Sequence, residues 1–396
     1  MVRYEYVDNP KQLAALCDAA AASQQIAWDT EFVSEYTYRP ELCLIQVAAG
    51  GKLWIVDVPA AGDLSDFWNL LTSPGRENIV HAGREEMRFC LSAVGRMPDA
   101  LIDVQIAAGL VGLEYPASYG TLVNRLLSKT LGKGETRTDW RVRPLASRQM
   151  EYAAQDVAYL EPLRDALYRR LDKLGRRDWL TVEMQAWQRQ VEQADDQERW
   201  RRLSGMSNLS PRSLAIVREL WRWRDSEAQR RDIPPRRVLR DDLVIELARR
   251  QTSDVQRIRS VRGLVRRDLK EQLPAMAQAI QRALQSPESD LPRSRPRESG
   301  PSLTLLGQFL TTTLSSACQL AQVAPGLVGT VQDVRDLVAY HLGLPGAGDS
   351  PPSLACGWRA EVVGRLIEDL VEGRLSVRIA DPLADQPLAF EPREPR

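Results

Sequence analysis

Two short stretches of the chain carry acidic residues at spacings that could hold metal ions. In IAWDTEF, Asp29 and Glu31 lie two positions apart in an apolar run, so on a β-strand both carboxylates face the same side. Further along, in MEYAAQDVAYL, Tyr152 and Asp156 lie four positions apart in a segment of helix formers, which places both on one helix face. Three converging carboxylates can bind a pair of Mg²⁺ ions, which prefer oxygen ligands and also accept substrate phosphate oxygens. The pattern therefore predicts phosphodiester chemistry.

Each pair has a simpler explanation when it is taken alone. A DxE pair is common at an exposed strand end, and an aromatic residue with an acid at helical spacing often marks the edge of a core. The context favours chemistry, because the run LCLIQVAAGGKLWIVDV predicts two further strands joined at Gly50-Gly51. The strand with Asp29 and Glu31 would then be central in a sheet, where buried carboxylates are costly unless a cation compensates them.

Several segments in order resemble the ribonuclease D family, 3′→5′ exoribonucleases of the DEDDy superfamily. These segments are DTEF, LCLIQVA, HAGREEMRFC, LIDVQIAA, ETRTDWRVRPL and YAAQDVAYL. The resemblance places the family's first motif on Asp29 and Glu31 and its third motif on Tyr152 and Asp156. It implies two bound divalent ions, Mg²⁺ or Mn²⁺, with Tyr152 orienting the attacking water. Nucleoside 5′-monophosphates are the implied product.

The second motif of the family departs from its usual form. The family has HAG-x-E-D, whereas this chain has HAGREE, so Glu86 stands at the position of the metal-binding aspartate. Glu86 keeps the charge and the oxygen ligands but reaches one methylene further, and Mg²⁺ demands near-octahedral geometry at short distances. Three interpretations stay open: a working ligand, a ligand with reduced activity or altered metal preference, and a degenerate site.

The order of predicted elements indicates a mixed α/β sheet covered by helices. A helix over KQLAALCDAAAA precedes the first-motif strand, the hairpin, a helix around Asp66, the strand NIVHAG and the helix EEMRFCLSAVG. We predict only helices after that point, ending in the helix of the third motif. By resemblance this is a ribonuclease H-like α/β catalytic domain followed by two all-α HRDC-like helical bundles. We expect His81 and Asp103 to have structural hydrogen-bonding roles.

A basic segment follows the catalytic region. The formal net charge of the chain is zero, yet residues 201–285 carry 20 Arg and Lys against 10 Asp and Glu. Helical periods interrupted at Pro211 and at Pro234-Pro235 resemble the HRDC domain, a small helical bundle. The resemblance implies nucleic-acid binding, and four arginines are candidate phosphate contacts, although a solvated helix face is an equal alternative for each. These are Arg236, Arg237, Arg266 and Arg267.

Composition sets the expected domain boundaries. A chain of 396 residues is too long for one ordinary core. Residues 286–301, SPESDLPRSRPRESGP, are rich in Pro, Ser and charge and predict a flexible linker. We predict an exonuclease domain at 1–200, an HRDC domain at 205–286, the linker at 287–301, and a second HRDC-like domain at 302–396. Whether the last bundle binds RNA or only packs is open.

The remaining features narrow the setting and the partners. No run of eighteen apolar residues and no signal-peptide core are present, so we expect a soluble, cytoplasmic monomer that does not enter membranes. Five widely spaced cysteines suit neither a disulfide framework nor a zinc site. By resemblance the partner is RNA with a single-stranded 3′ end, such as tRNA precursors.

Two rival functions remain. A DNA 3′→5′ exonuclease would use the same acids, because discrimination rests on contacts to the 2′-hydroxyl that no motif reveals. A non-catalytic RNA-binding scaffold is the alternative suggested by Glu86. A helicase is not indicated, because the sequence contains no G-x-x-x-x-G-K-[ST] loop.

Overall fold

The computed structural model describes residues 2–132, 138–193, 199–206, 208–264, 267–292, 301–344 and 350–393. The first part of the chain alternates strands and helices. Its elements are β1 (Glu5–Val7), α1 (Pro10–Ala21), β2 (Gln25–Val33), β3 (Glu41–Ala49), β4 (Lys52–Asp57), α2 (Val58–Ala61), α3 (Ser65–Leu71), β5 (Glu77–Val80), α4 (Arg84–Val94), β6 (Leu101–Asp103), α5 (Val104–Leu110), α6 (Tyr119–Leu127), α7 (Ser147–Ala158), α8 (Leu160–Leu174) and α9 (Arg177–Gln193).

These strands form one six-stranded mixed sheet in the order β1-β4-β3-β2-β5-β6. The β2–β3 and β3–β4 pairs are antiparallel, whereas β1–β4, β2–β5 and β5–β6 are parallel. The predicted hairpin is confirmed, with Gly50 and Gly51 both at positive φ, as a two-residue turn of this kind requires. The first-motif strand is therefore central, and the predicted mixed sheet is confirmed.

One element was not expected from the sequence. The short strand β6 extends the sheet beside β5, where only helices were predicted after α4. That prediction was wrong because three residues are too few to show an alternating period. The strand places Asp103 at the carboxyl end of the sheet. There Asp103 accepts hydrogen bonds from the backbone N–H groups of Gly83 and Gln105, which is the structural role expected of it.

The rest of the chain is mainly helical. The middle region contains α10 (Pro211–Arg231), α11 (Pro235–Val238), α12 (Asp241–Arg250), α13 (Val255–Arg259) and α14 (Arg267–Gln285). The C-terminal region contains α15 (Pro301–Leu320), α16 (Pro325–Val328), α17 (Val331–His341), α18 (Gly357–Arg359) and α19 (Arg365–Val371), and then the hairpin β7 (Leu375–Ile379) and β8 (Leu388–Pro392). The predicted helix breaks at Pro211 and at Pro234-Pro235 are confirmed, since α10 begins at Pro211 and α11 begins at Pro235, and proline is tolerated in a first helical turn.

The core is divided unevenly among these regions. Helices α10–α14 enclose a hydrophobic cluster of their own, which includes Val217, Leu247 and Ile280. The C-terminal helices instead share one continuous cluster with the catalytic sheet, in which Leu110 and Leu314 are both members. Most of the predicted linker, residues 293–300, lies outside the described residues. Before it, Leu291 packs against the core of α10–α14.

The helices were expected not to enter a membrane. None of the helices in the described ranges combines the length and the apolar character of a membrane-spanning segment.

Candidate active site

The catalytic strand β2 carries Asp29 and Glu31 toward helix α7. Asp29 lies opposite Gln46 and Glu31 lies opposite Leu44 on β3. Because side chains alternate along a strand, both acids project from one face, and α7 packs on β2 and β3. A bulge follows between Glu31 and Phe32, which bends the strand where it leaves the site.

Helix α7 presents the third motif to these acids. Tyr152 and Asp156 lie one turn apart on one face of α7, and the Tyr152 hydroxyl lowers the pKa of the Asp156 carboxyl group against the larger, raising effect of burial. Burial raises the pKa of Tyr152, and the neighbouring carboxylates of Asp156, Glu31 and Asp29 raise it further. The phenol therefore stays protonated and donates, so it can orient a water molecule but cannot act as a base near neutral pH.

These partly buried acids are electrostatically coupled. Burial raises the pKa of Asp29 well above its ordinary value, and the charges of Glu86, Asp156 and Glu31 raise it further. Burial likewise raises the pKa of Glu31 to about 8, with added repulsion from Asp156 and Glu86. Burial raises the pKa of Asp156 to about 7, against the opposing effect of the Tyr152 hydroxyl. The structure thus gathers Asp29, Glu31 and Asp156 from two distant stretches of sequence.

Glu86 is near these acids but is held differently. It lies in the first turn of α4, and its Oε1 accepts a 2.5 Å hydrogen bond from the Thr30 hydroxyl. By strand alternation Thr30 projects from the face of β2 opposite to Asp29 and Glu31. Burial raises the pKa of Glu86 to about 7, although the Thr30 hydrogen bond lowers it. The longer side chain at this position therefore finds a partner behind the catalytic strand.

The donor set suits hard divalent cations, although the side chains are not closed around a common point. Within the described residues, no three His, Cys, Asp or Glu side chains are arranged as a group that could hold a metal ion. The mutual pKa shifts nevertheless place Asp29, Glu31, Glu86 and Asp156 within interaction range, and the largest contributions to the raised pKa of Asp29 come from burial and from the other three carboxylates. Closely spaced carboxylates of this kind are typical of cation sites.

Gln46 was missed by the sequence analysis and supports the same conclusion. It is fully buried directly across from Asp29, and neither polar atom of its amide has a hydrogen-bond partner within the described structure. Buried polar groups are rarely left unpaired away from functional sites. The available signal was a single amide in the apolar run LCLIQVA on the strand next to DTEF.

The other residues singled out from the sequence are His81 and four arginines of the HRDC region. His81 has the expected structural role, since its Nε2 lies 2.9 Å from the Ala117 carbonyl oxygen. Arg236 forms an ion pair with Asp241 at 2.9 Å, and Arg237 lies over the ring of Tyr36 at 5.3 Å. Arg266 lies outside the described residues, and for Arg267 only its place at the start of α14 is described.

Comparison with known proteins gives the class. The family model described as 3′-5′ exonuclease matches residues 4–172, and the model described as HRDC domain matches residues 213–280. The matched exonuclease region contains the four acids and the tyrosine of the three motifs, Asp29, Glu31, Glu86, Tyr152 and Asp156. The fold and the site therefore define a 3′-5′ exonuclease with an HRDC domain attached.

Relatives of similar length identify the family. Ribonuclease D of Acidiphilium cryptum is 32% identical over 94% of this chain and 94% of its own length. Ribonuclease D of Escherichia coli is 28% identical, and its crystal structure matches with a TM-score of 0.81 over 94% of this chain and 99% of that one. That enzyme is described as an exoribonuclease involved in structured RNA processing. This chain belongs to the ribonuclease D family and is a 3′-5′ exoribonuclease.

Proposed function

We propose that this exoribonuclease shortens RNA with a single-stranded 3′ end, and that Asp29, Glu31, Glu86 and Asp156 hold two divalent ions, Mg²⁺ or Mn²⁺. The observation that carries the proposal is the coupling of Asp29 to the nearby carboxylates of Glu86, Asp156 and Glu31 beside the Tyr152 hydroxyl. When bound, such ions supply a hydroxide near neutral pH and stabilise the leaving 3′ oxygen. Nucleoside 5′-monophosphates are the expected products.

The protein's own groups have separate roles in this scheme. Asp29, partly buried at the centre of the sheet, would offer its carboxylate to the ions, with Glu31 and Asp156 as further ligands. The Tyr152 hydroxyl orients the attacking water, with its ring held beside Trp140 at a centroid distance of 6.2 Å. The unpartnered amide of Gln46 faces the same space and can hold a further water.

The domain roles follow from the same scheme. We propose an exonuclease domain over 1–200, an HRDC domain over 205–286 with Arg236, Arg237, Arg266 and Arg267 as candidate RNA contacts, a linker over 287–301, and a second helical domain over 302–396. Precursors of tRNA are a suitable substrate, since the Escherichia coli relative is described as acting in structured RNA processing. We expect a monomer in the cytoplasm.

The test is an exonuclease assay on 5′-labelled RNA with a single-stranded 3′ tail and on DNA of the same sequence. The wild-type protein and Asp29→Asn are incubated with Mg²⁺, Mn²⁺ or EDTA. We expect a ladder of products shortened from the 3′ end of the RNA, which disappears in EDTA. Asp29→Asn should slow digestion at least about a hundredfold, since a misplacement of about 1 Å already costs that much. Digestion that persists in EDTA or in Asp29→Asn would refute the metal mechanism.

The role of Glu86 needs its own variants. Glu86→Gln should reduce the rate about as strongly as Asp29→Asn, whereas Glu85→Gln is a matched control because Glu85 pairs with Arg88 at 3.1 Å on the surface. Glu86→Asp separates the remaining interpretations. A faster rate would show that the longer acid weakens the site, an unchanged rate would show a working ligand, and no effect of Glu86→Gln would show that Glu86 takes no part.

A further inference from the structure

An exposed aromatic side chain joins the catalytic domain to the HRDC domain. Tyr36 lies in the loop between β2 and β3 and is 47% exposed. The guanidinium carbon of Arg141 lies 4.2 Å from the centroid of its ring, and that of Arg237 in α11 lies 5.3 Å from it. We call these three residues the Tyr36 cluster. It brings two cations from different domains onto one ring.

The catalytic-domain members of the cluster are close along the chain to residues of the candidate active site. Tyr36 follows Glu31 by five residues, so the two backbone positions are at most about 18 Å apart. Arg141 directly follows Trp140, whose ring packs beside Tyr152. Both catalytic-domain members of the cluster are therefore attached to segments that carry or contact the predicted catalytic residues.

Contacts in the same loop fix the HRDC side of the cluster. The hydroxyl of Tyr38 donates a 2.9 Å hydrogen bond to Asp225 in α10, and its backbone N–H donates a 3.1 Å hydrogen bond to Asp232. Asp232 ends α10 in the left-handed conformation, two residues before the Pro234-Pro235 turn that leads into α11. The position of Arg237 over Tyr36 is thus set by the interface rather than by Arg237 alone.

The charge balance leaves one cation uncompensated. Arg141 is neutralised by Asp139, whose two carboxylate oxygens accept from Nε at 3.0 Å and from Nη2 at 2.8 Å. Arg237 forms no ion pair with the residues that the structure describes, in contrast to its neighbour Arg236. An uncompensated guanidinium keeps its planar donors available, and this geometry matches the oxygens of a phosphate group.

We propose that the Tyr36 cluster is a binding site for a backbone phosphate of single-stranded RNA, a few nucleotides upstream of the 3′ end. Arg237 supplies the charge, Arg141 contributes the donors not used by Asp139, and the Tyr36 ring holds both guanidinium groups through cation–π contacts. The inference rests on the proposed function, because it assumes that the 3′ end lies at Asp29. It adds that the RNA is held by both domains at once.

The experiment measures RNA binding rather than hydrolysis. Fluorescence anisotropy with 5′-fluorescein oligouridylates of two and of twelve nucleotides is recorded in EDTA on the Asp29→Asn background, across a salt series. The test variants are Arg237→Gln and Tyr36→Leu, and Tyr36→Phe keeps the ring. Lys52→Gln is the charge-matched control, since Lys52 is exposed at the Gly50-Gly51 end of the sheet, opposite to the acids.

We expect Arg237→Gln to weaken binding of the twelve-nucleotide RNA about three- to tenfold and to reduce the slope of log K against log salt by about 0.7, as for one lost phosphate contact to a single strand. Tyr36→Leu should have a similar but smaller effect, and Tyr36→Phe and Lys52→Gln almost none. Binding of the dinucleotide should be unchanged in every variant, because it does not reach the cluster.

Two outcomes would overturn the inference. Equal losses for both RNA lengths would show a general effect on the protein, and an unchanged salt slope in both Arg237→Gln and an independent Arg141→Gln variant would show that no phosphate binds there. Thermal unfolding of each variant identifies one that is misfolded. The proposed function is judged separately, since 3′-5′ digestion that requires Asp29 can persist when the cluster proves to be wrong.

Discussion

The two helical regions of this member of the ribonuclease D family differ in how they are attached to the catalytic domain. Helices α10–α14 have a hydrophobic cluster of their own and meet the catalytic domain through hydrogen bonds and ring contacts around Tyr36 and Tyr38. The C-terminal helices continue the core of the catalytic sheet. The first region is thus an attached domain, and the second is part of the catalytic body.

Polar contacts strengthen the second attachment. The buried Arg176 donates to the carbonyl oxygens of Leu110 in the catalytic domain and of Ala321 and Gln322 after α15. Arg359 forms a two-pronged ion pair with Glu183 of α9, and the rings of Trp179 and Trp358 stack beside it. Such buried guanidinium contacts with backbone carbonyls fix one relative position of the two parts.

The difference shows that helical content alone does not define a repeated domain. Both regions were expected to be HRDC-like bundles, and the HRDC family model matches residues 213–280. Of the two helical regions, only this one has a hydrophobic cluster separate from that of the sheet. We infer that the C-terminal helices primarily stabilise the catalytic body, while the HRDC domain is free to serve RNA. The following experiments test this division.

The largest effect is expected when the regions are separated. A fragment of residues 199–291 should fold alone with a cooperative thermal transition, because it contains the whole of its own hydrophobic cluster, Trp200 included. A fragment of residues 1–204 should be insoluble or lack a cooperative transition, because it exposes the apolar surface that α15 and α17 cover. Circular dichroism and calorimetry of each fragment measure this. Co-expression with residues 301–396 should restore a soluble catalytic body, and a fragment 1–204 as stable as the whole chain would contradict the comparison.

The sequence predicted the local parts of this structure well and the long-range parts poorly. The strand of Asp29, the Gly50-Gly51 hairpin and the helix of Tyr152 follow from residue periods and turn chemistry, and the structure confirms them. The hydrogen bond between Glu86 and Thr30 was not predicted, because it depends on how α4 packs against the rear of β2. A helical period likewise predicts which face of a helix is buried but not which element covers that face. The core that the C-terminal helices share with the sheet therefore could not be predicted from the sequence.

A smaller effect is expected from single buried arginines in the two regions. Arg176→Met removes two hydrogen bonds between the catalytic and C-terminal parts and one to Leu110 within the catalytic part, whereas Arg224→Met removes bonds to Leu239 and Asp241 inside the HRDC domain. Each leaves buried acceptors unpaired, at a cost of roughly 3 kcal/mol, or about 6–12 °C in Tm for the larger catalytic body and about twice that for the small HRDC domain. In calorimetry, Arg176→Met should lower only the transition of the catalytic body, and Arg224→Met only that of the HRDC domain. A shift of both transitions by either variant would mean that the molecule unfolds as one unit.

The smallest effect is a dependence of stability on pH that should be confined to the catalytic body. Burial raises the pKa of Glu31 to about 8 and those of Asp156 and Glu86 to about 7, so between pH 5 and 8 the folded protein binds more protons than the unfolded chain. The stabilisation by these protons is complete at low pH and is lost as the pH rises through 7 and 8.

In EDTA the Tm of the catalytic body should therefore fall by about 3–5 °C between pH 6 and 9. Each unit by which the pKa of an acid differs between the folded protein and the unfolded chain in solution is worth about 1.4 kcal/mol. Glu31→Gln should reduce the fall, because it removes the acid with the highest value among those three. The HRDC transition should not move in this range, since the shifted carboxyl in that domain is Glu227, whose pKa is lowered by Arg230. A pH-dependent fall in the HRDC transition instead would show that the acids destabilise the molecule through the domain interface, and would break the division between the two regions.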